Sequence, residues 1–313
     1  MSYWNYIPAA AADGVVYTKM YAVYGNHAVA DCDEYDASGN SWTSKTNGPA
    51  VTATRQWPGT NTLGGKMYVM GGRDNSPISD TDAYDQAGNS WSTKATYAFG
   101  PIFAQYSGVC NAKIYYSGGN NGDPNYGADG QETDTYEYVD DTYTDKSVAG
   151  PTKHYVPGMA VGDKLYATHD SGVNETTTIS PATDNEVYDP SANTWSAIAN
   201  EGTGMSRTAA FTADDRVFVA TGWGGDGATR QQMDTVEEYS VSGNSWAAKT
   251  ATPTERADAA GTSLGEGAAA GYVFGDSQSA TRDNDEYSVS GNSWTAKADL
   301  PAPNRTKLGA AGI

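Results

Sequence analysis

One nine-residue string, EYSVSGNSW, occurs at 238–246 and again, unchanged, at 286–294 of this 313-residue chain. Three further copies keep its frame: EYDASGNSW at 34–42, AYDQAGNSW at 83–91 and VYDPSANTW at 187–195. A sixth, worn copy runs from Glu137 to Tyr143, two residues shorter and with tyrosine at its end. The closing aromatics are therefore Trp42, Trp91, Tyr143, Trp195, Trp246 and Trp294, spaced 48 to 52 residues apart. Such an interval marks one supersecondary unit of about 50 residues used six times.

Each copy reads as a β-hairpin. Ser-Gly-Asn offers the positive-φ residues of a tight turn. The aromatics before and after it fall where cross-strand neighbours pack on one sheet. Upstream, Lys66-Met67-Tyr68-Val69-Met70-Gly71-Gly72 and Lys113-Ile114-Tyr115-Tyr116-Ser117-Gly118-Gly119 read as strands that end on glycine, where another backbone approaches closely. Earlier still come runs of small residues, such as Thr208–Ala213 and Ala257–Gly261, suited to a crowded innermost strand. That makes four short strands per unit.

The glycine pair, the Tyr-Asp after it and the closing Asn-x-Trp resemble the kelch family of β-propellers. The resemblance implies an all-β, six-bladed propeller of four-stranded antiparallel blades, in one domain over 1–313. Two units depart from the pattern. Residues 168–172 (THDSG) replace the glycine pair in the fourth, and Tyr143 replaces tryptophan in the third.

A hydrophobic content of 38% is modest, yet blades can pack on glycine, alanine and aromatic rings. The formal net charge of −19 argues against nucleic acid, which is bound by neutralising phosphates with cations. Neither a long apolar run nor a cleavable leader is evident, so the expected location is cytoplasmic or virion-associated, without membrane insertion. Cys32 and Cys110 fall at unrelated places in their units, and no disulfide is expected. No cofactor is expected either.

The first unit is short, and the last continues past Trp294 into a segment like the inner strand of the others. Residues 305–313 are therefore expected to supply the inner strand of the first blade and close the ring, leaving no open edge. In the alternative, Ala9–Ala12 form that strand.

Cations recur at one place in the repeat. Arg55, Arg207, Arg256 and Arg305 follow their repeat aromatics by 10 to 13 residues, and His154 follows Tyr143 by 11. In a closed ring these five would encircle one mouth of the channel and take a carboxylate or phosphate. Alternatively, each would pair with a blade neighbour and help hold the ring.

Loops carry the second functional signal, because variable connections on a rigid repeat scaffold are where binding sits. Tyr126 in the third unit and Trp223 and Arg230 in the fifth are candidates to touch a sugar or a protein partner. Asp123, Asn125 and Asp129 are weak calcium candidates, since their spacing lacks the bidentate Glu of a calcium loop. Catalysis has little support. His27, His154 and His169 do not cluster by repeat position, and the sequence contains no nucleophile turn or phosphate-cradling loop. The expected function is thus a non-enzymatic binding or structural module for a protein partner or glycan, as an appendage or tail-type component of a virion or other large assembly. Within the kelch resemblance, a carbohydrate-active enzyme of the mutarotase or galactose-oxidase type is the alternative.

Overall fold

The computed structural model describes residues 19–312 apart from 27–29, 50–53, 98–99, 122–133, 152–154, 156–157, 169–182, 225–230, 265–267 and 277–280. Six four-stranded antiparallel sheets form a ring. Blade 2 shows the plan: Gly59–Leu63 innermost, then Lys66–Met70, Thr81–Asp85 and Ser90–Thr93 outermost. Blades 3 to 6 begin with the inner strands Tyr106–Cys110, Gly158–Val161, Ala209–Ala213 and Ala260–Ser263. Blade 1 takes its inner strand, Gly309–Gly312, from the far end of the chain. That strand pairs with Lys19–Val23 in the register Met20 to Gly312 and Val23 to Gly309. The expected closure is therefore present; Ala9–Ala12 lie outside the described residues. Among those residues no helix is long and apolar enough to cross a membrane.

Small inner-strand residues let neighbouring blades meet backbone to backbone. A Cβ on Gly158 would overlap the main chain of Ser107 in the preceding blade. The glycine that ends the second strand has a related role. Gly71 has φ 60°, and a Cβ there would strike the carbonyl of Ile102, where the chain enters blade 3.

The repeated hairpin is a clasp between blades. In blade 1, Tyr35 donates its hydroxyl to Asn40 Oδ1 at 2.9 Å, and the same oxygen accepts the N–H of Ala298 in blade 6 at 2.7 Å. Trp42 Nε1 donates to the carbonyl of that same Ala298. Asn89 and Trp91 grip Thr46 in this way, Asn244 and Trp246 grip Ala199, and Asn292 and Trp294 grip Thr250. The asparagines supply the positive φ of the turn, 43–53°, whereas glycines such as Gly39 are not in that region. In the worn hairpin Asp141 replaces asparagine, accepting from Tyr138 and from the N–H of Ala95. Tyr143 has no indole N–H, and its hydroxyl meets Thr81 instead.

Candidate functional site at the channel mouth

Where each blade begins, one residue turns into the left-handed region: Trp57, Ala104, Tyr155, Arg207, Asp258 and Lys307, with φ between 48° and 58°. Their backbones form a closed circle. Trp57 N–H donates to Lys307, Ala104 to Trp57, Tyr155 to Ala104, Arg207 to Tyr155, Asp258 to Arg207 and Lys307 to Asp258, all at 2.8–3.1 Å. Non-glycine residues rarely adopt this conformation. Here every one gains a hydrogen bond on each side, and the ring presents one side chain per blade at the mouth of the channel.

This circle corrects the alignment of the cations. Arg55, Arg256 and Arg305 stand two residues before their ring members Trp57, Asp258 and Lys307, so they lie behind the mouth rather than around it. All three are buried to within about 1% exposure. Arg55 donates to Asp82 at 2.7 Å and to the carbonyls of Gly71, Val69 and Asp80. Arg256 binds Asp285, and Arg305 binds Asp33. Each acid lies two residues before the hairpin tyrosine of the same blade, so these arginines hold blades together. Arg207 is different. The residue equivalent to Arg55 in its blade is the buried Met205, and Arg207 itself is a ring member.

Arg207 Cζ lies 4.7 Å from the ring centre of Tyr155 and 5.3 Å from that of Trp57. Lys307 Nζ is 4.2 Å from the centre of the same indole. Asp258 is buried, 3.6 Å from Arg207; its two oxygens accept the indole N–H groups of Trp57 at 3.2 Å and Trp223 at 3.4 Å. Arg73 lies over Phe103, which packs against Tyr155 and Trp57. Behind these side chains the channel holds a cavity of about 140 Å³.

Trp223 was expected on the solvent side of its loop, but it is 4% exposed and serves Asp258 from behind. His154, Tyr126 and Arg230, with the calcium candidates Asp123, Asn125 and Asp129, lie outside the described residues. No group of three or more His, Cys, Asp or Glu arranged to hold a metal occurs among the described residues. Cys32 and Cys110 are buried thiols not joined in a disulfide, and burial pushes the Cys32 thiol well above its ordinary value. The ring members Trp57, Tyr155, Asp258 and Lys307 escaped the sequence reading. Their common sign is position, two residues after the arginine site and just before the small-residue strand.

A family model described as Kelch motif matches residues 58–96. The solved structure titled "Structure of YjhT" is similar over 93% of this chain and 98% of that one, with a TM-score of 0.70 and 14% sequence identity. No curated protein sequence matches the chain significantly.

Proposed function

The chain is a kelch-repeat β-propeller, and from that premise we propose that it is a non-enzymatic binding module that takes an acidic ligand, a carboxylate-bearing partner protein or glycan, at the mouth ringed by Trp57, Tyr155, Arg207, Asp258 and Lys307. One observation carries this reading. In a chain of net charge −19, Arg207 and Lys307 are brought to a single indole at the mouth. The indole carries two cations against its π system and so offers charge rather than a bare stacking face. A guanidinium and an ammonium gathered at one indole suit a carboxylate-bearing ligand.

The acidity and the six closely alike repeats support a place in a large assembly, of the virion appendage or tail type. Purifying the native assembly with the unaltered chain, and again with Arg207→Ala and Lys307→Ala together, tests both parts. An acidic component should co-migrate with the first and not the second. Equal recovery with both would remove the mouth from the account.

A second reading, a carbohydrate-active enzyme, has one observation in its favour: Arg207 and Asp258 place a cation and a carboxylate side by side at the mouth. Turnover of a reducing sugar, lost in Asp258→Asn, would select it.

A further inference from the structure

Around the axis the ring order is Lys307, Trp57, Ala104, Tyr155, Arg207, Asp258, which sets Trp57 and Arg207 diametrically opposite. Their side chains nevertheless meet, and Trp57 Nε1 reaches past the Lys307 position to Asp258. The indole therefore lies across the mouth, packed edge-on against Tyr155 with ring centres 4.8 Å apart. Among the residues lining the cavity with it are Thr60, Gln105, Ser107 and Thr208. Such a space has room for several water molecules.

We propose that Trp57 is a tethered lid over the channel, and that an anion taken by Arg207 and Lys307 releases it. This rests on the anion-binding reading above. The polar contacts of the indole are made with charged groups: Asp258 on its N–H, Arg207 and Lys307 against its π system. An anion that engages the guanidinium and the ammonium draws both cations off the ring. Its charge also repels Asp258, whose other oxygen is held by the buried Trp223. The lid's attachments therefore weaken together, and ligand binding is coupled to opening of the channel.

Labelling the full chain with 5-fluorotryptophan gives the test, with Trp57→Phe assigning the Trp57 fluorine resonance. In the unaltered protein, acetate or inorganic phosphate titrated at constant ionic strength should move that resonance toward the position of free 5-fluorotryptophan. Acrylamide quenching of Trp57 should rise in parallel. Asp258→Ala should show the released position with no anion added. Anion binding seen by calorimetry with an unmoved Trp57 line would overturn the lid and leave the binding reading standing. If neither anion binds, the binding reading and the coupling both fail, and Asp258→Ala alone decides whether Trp57 is tethered. A Trp57 line unchanged in folded Asp258→Ala would overturn the tether. Should that variant not fold, the titration of the unaltered protein still decides the coupling.

Discussion

The indole nitrogen of Trp42 donates to the carbonyl of Ala298 at 2.8 Å, although 256 positions separate the two residues. This contact joins the first hairpin of the chain to the blade made last, and it repeats between other neighbouring blades. In blades 1, 2, 5 and 6 Asn-x-Trp is thus a device for reading both backbone groups of one residue next door. Each of these clasps satisfies an N–H and a carbonyl that have no ladder partner at the rim of the ring. In blade 4, by contrast, Trp195 donates to the Thr135 hydroxyl and Asn193 to the carbonyl of Lys146.

The clasp gives a direct mutational expectation. Trp246 is half-buried, so Trp246→Ala should cost about 2–3 kcal/mol, below the 3–5 kcal/mol of a fully buried tryptophan. Trp246→Phe removes chiefly the bond to Ala199 and should cost about 1 kcal/mol. Urea unfolding of both variants checks the pair. A full-length loss for phenylalanine would mean that the indole N–H carries more than one hydrogen bond's worth.

The buried arginines should behave as structural ion pairs. Arg256→Ala strands Asp285 and should cost about 3–5 kcal/mol. Blade 3 shows how the site can be apolar instead: Ile102 stands at the arginine position and Tyr136, two residues before its hairpin tyrosine, packs in the same core cluster. Arg256→Ile with Asp285→Tyr, copying that pair, should recover most of the loss in thermal melts. No recovery would show that the site in blade 6 does not accept the blade 3 pairing.

Blade 5 has the acid without the arginine. Glu237 faces no equivalent of Arg55, because Met205 stands there, and its carboxylate accepts the N–H groups of Gly202 and Thr203 at 3.2 and 3.3 Å. Burial raises its pKa above the ordinary carboxylate value. The folded state therefore binds this proton more tightly than the unfolded chain does. The group's contribution to stability is most favourable below the unfolded value and is lost as pH rises through the folded one. Glu237→Gln should raise the melting temperature at pH 7, with the gain shrinking toward pH 4. A pH-independent difference would contradict the assignment. Asp189 works in the opposite sense. Its pKa is held down to about 2 by the Ser191 hydroxyl and by Lys164, and its contribution is lost only as pH falls through that value.

Closure by the last strand is equally testable. Thr60 and Thr62 of blade 2 donate to the carbonyls of Ala310 and Gly312, so the strand is bonded to a neighbouring blade as well as to its own. Removing residues 309–313 should expose Lys19–Val23 as an edge and lower thermal stability sharply. A melting temperature equal to that of the full chain would return the first blade to the Ala9–Ala12 alternative.

The hairpins and the closure were legible because both rest on local pattern: turn residues, flanking aromatics and a terminal echo of the small-residue strand. The mouth was not, because the connection after each hairpin varies in length. Counting from the tryptophan placed Arg207 with Arg55, Arg256 and Arg305. Counting from the inner strand separates them, since Arg55, Arg256 and Arg305 stand four residues before Gly59, Ala260 and Gly309, and Arg207 stands two before Ala209. That second count needs the strand starts, which runs of glycine, alanine and threonine do not mark sharply. Trp223 was misread for a related reason. A tryptophan beside glycines looks like a loop residue until the acid it serves, Asp258, is known to be its neighbour in space.

The central claim is that Arg207 and Lys307, and not the buried arginines, capture an acidic ligand. Titration calorimetry of poly-glutamate and of a polyuronate against the unaltered chain, Arg207→Ala with Lys307→Ala, and Arg256→Ile with Asp285→Tyr tests it most directly. At least one polymer should bind the unaltered chain, more weakly as salt is raised. The mouth variant should lose about 10- to 100-fold in affinity. It also takes the guanidinium from buried Asp258, so its melting temperature should fall. Lys307→Ala alone, which keeps the Arg207–Asp258 pair, should weaken binding with the melting temperature nearly unchanged. The blade 6 variant should bind as the unaltered chain does. Binding that survives in the mouth variant, or that disappears only with the blade 6 pair, would contradict the account.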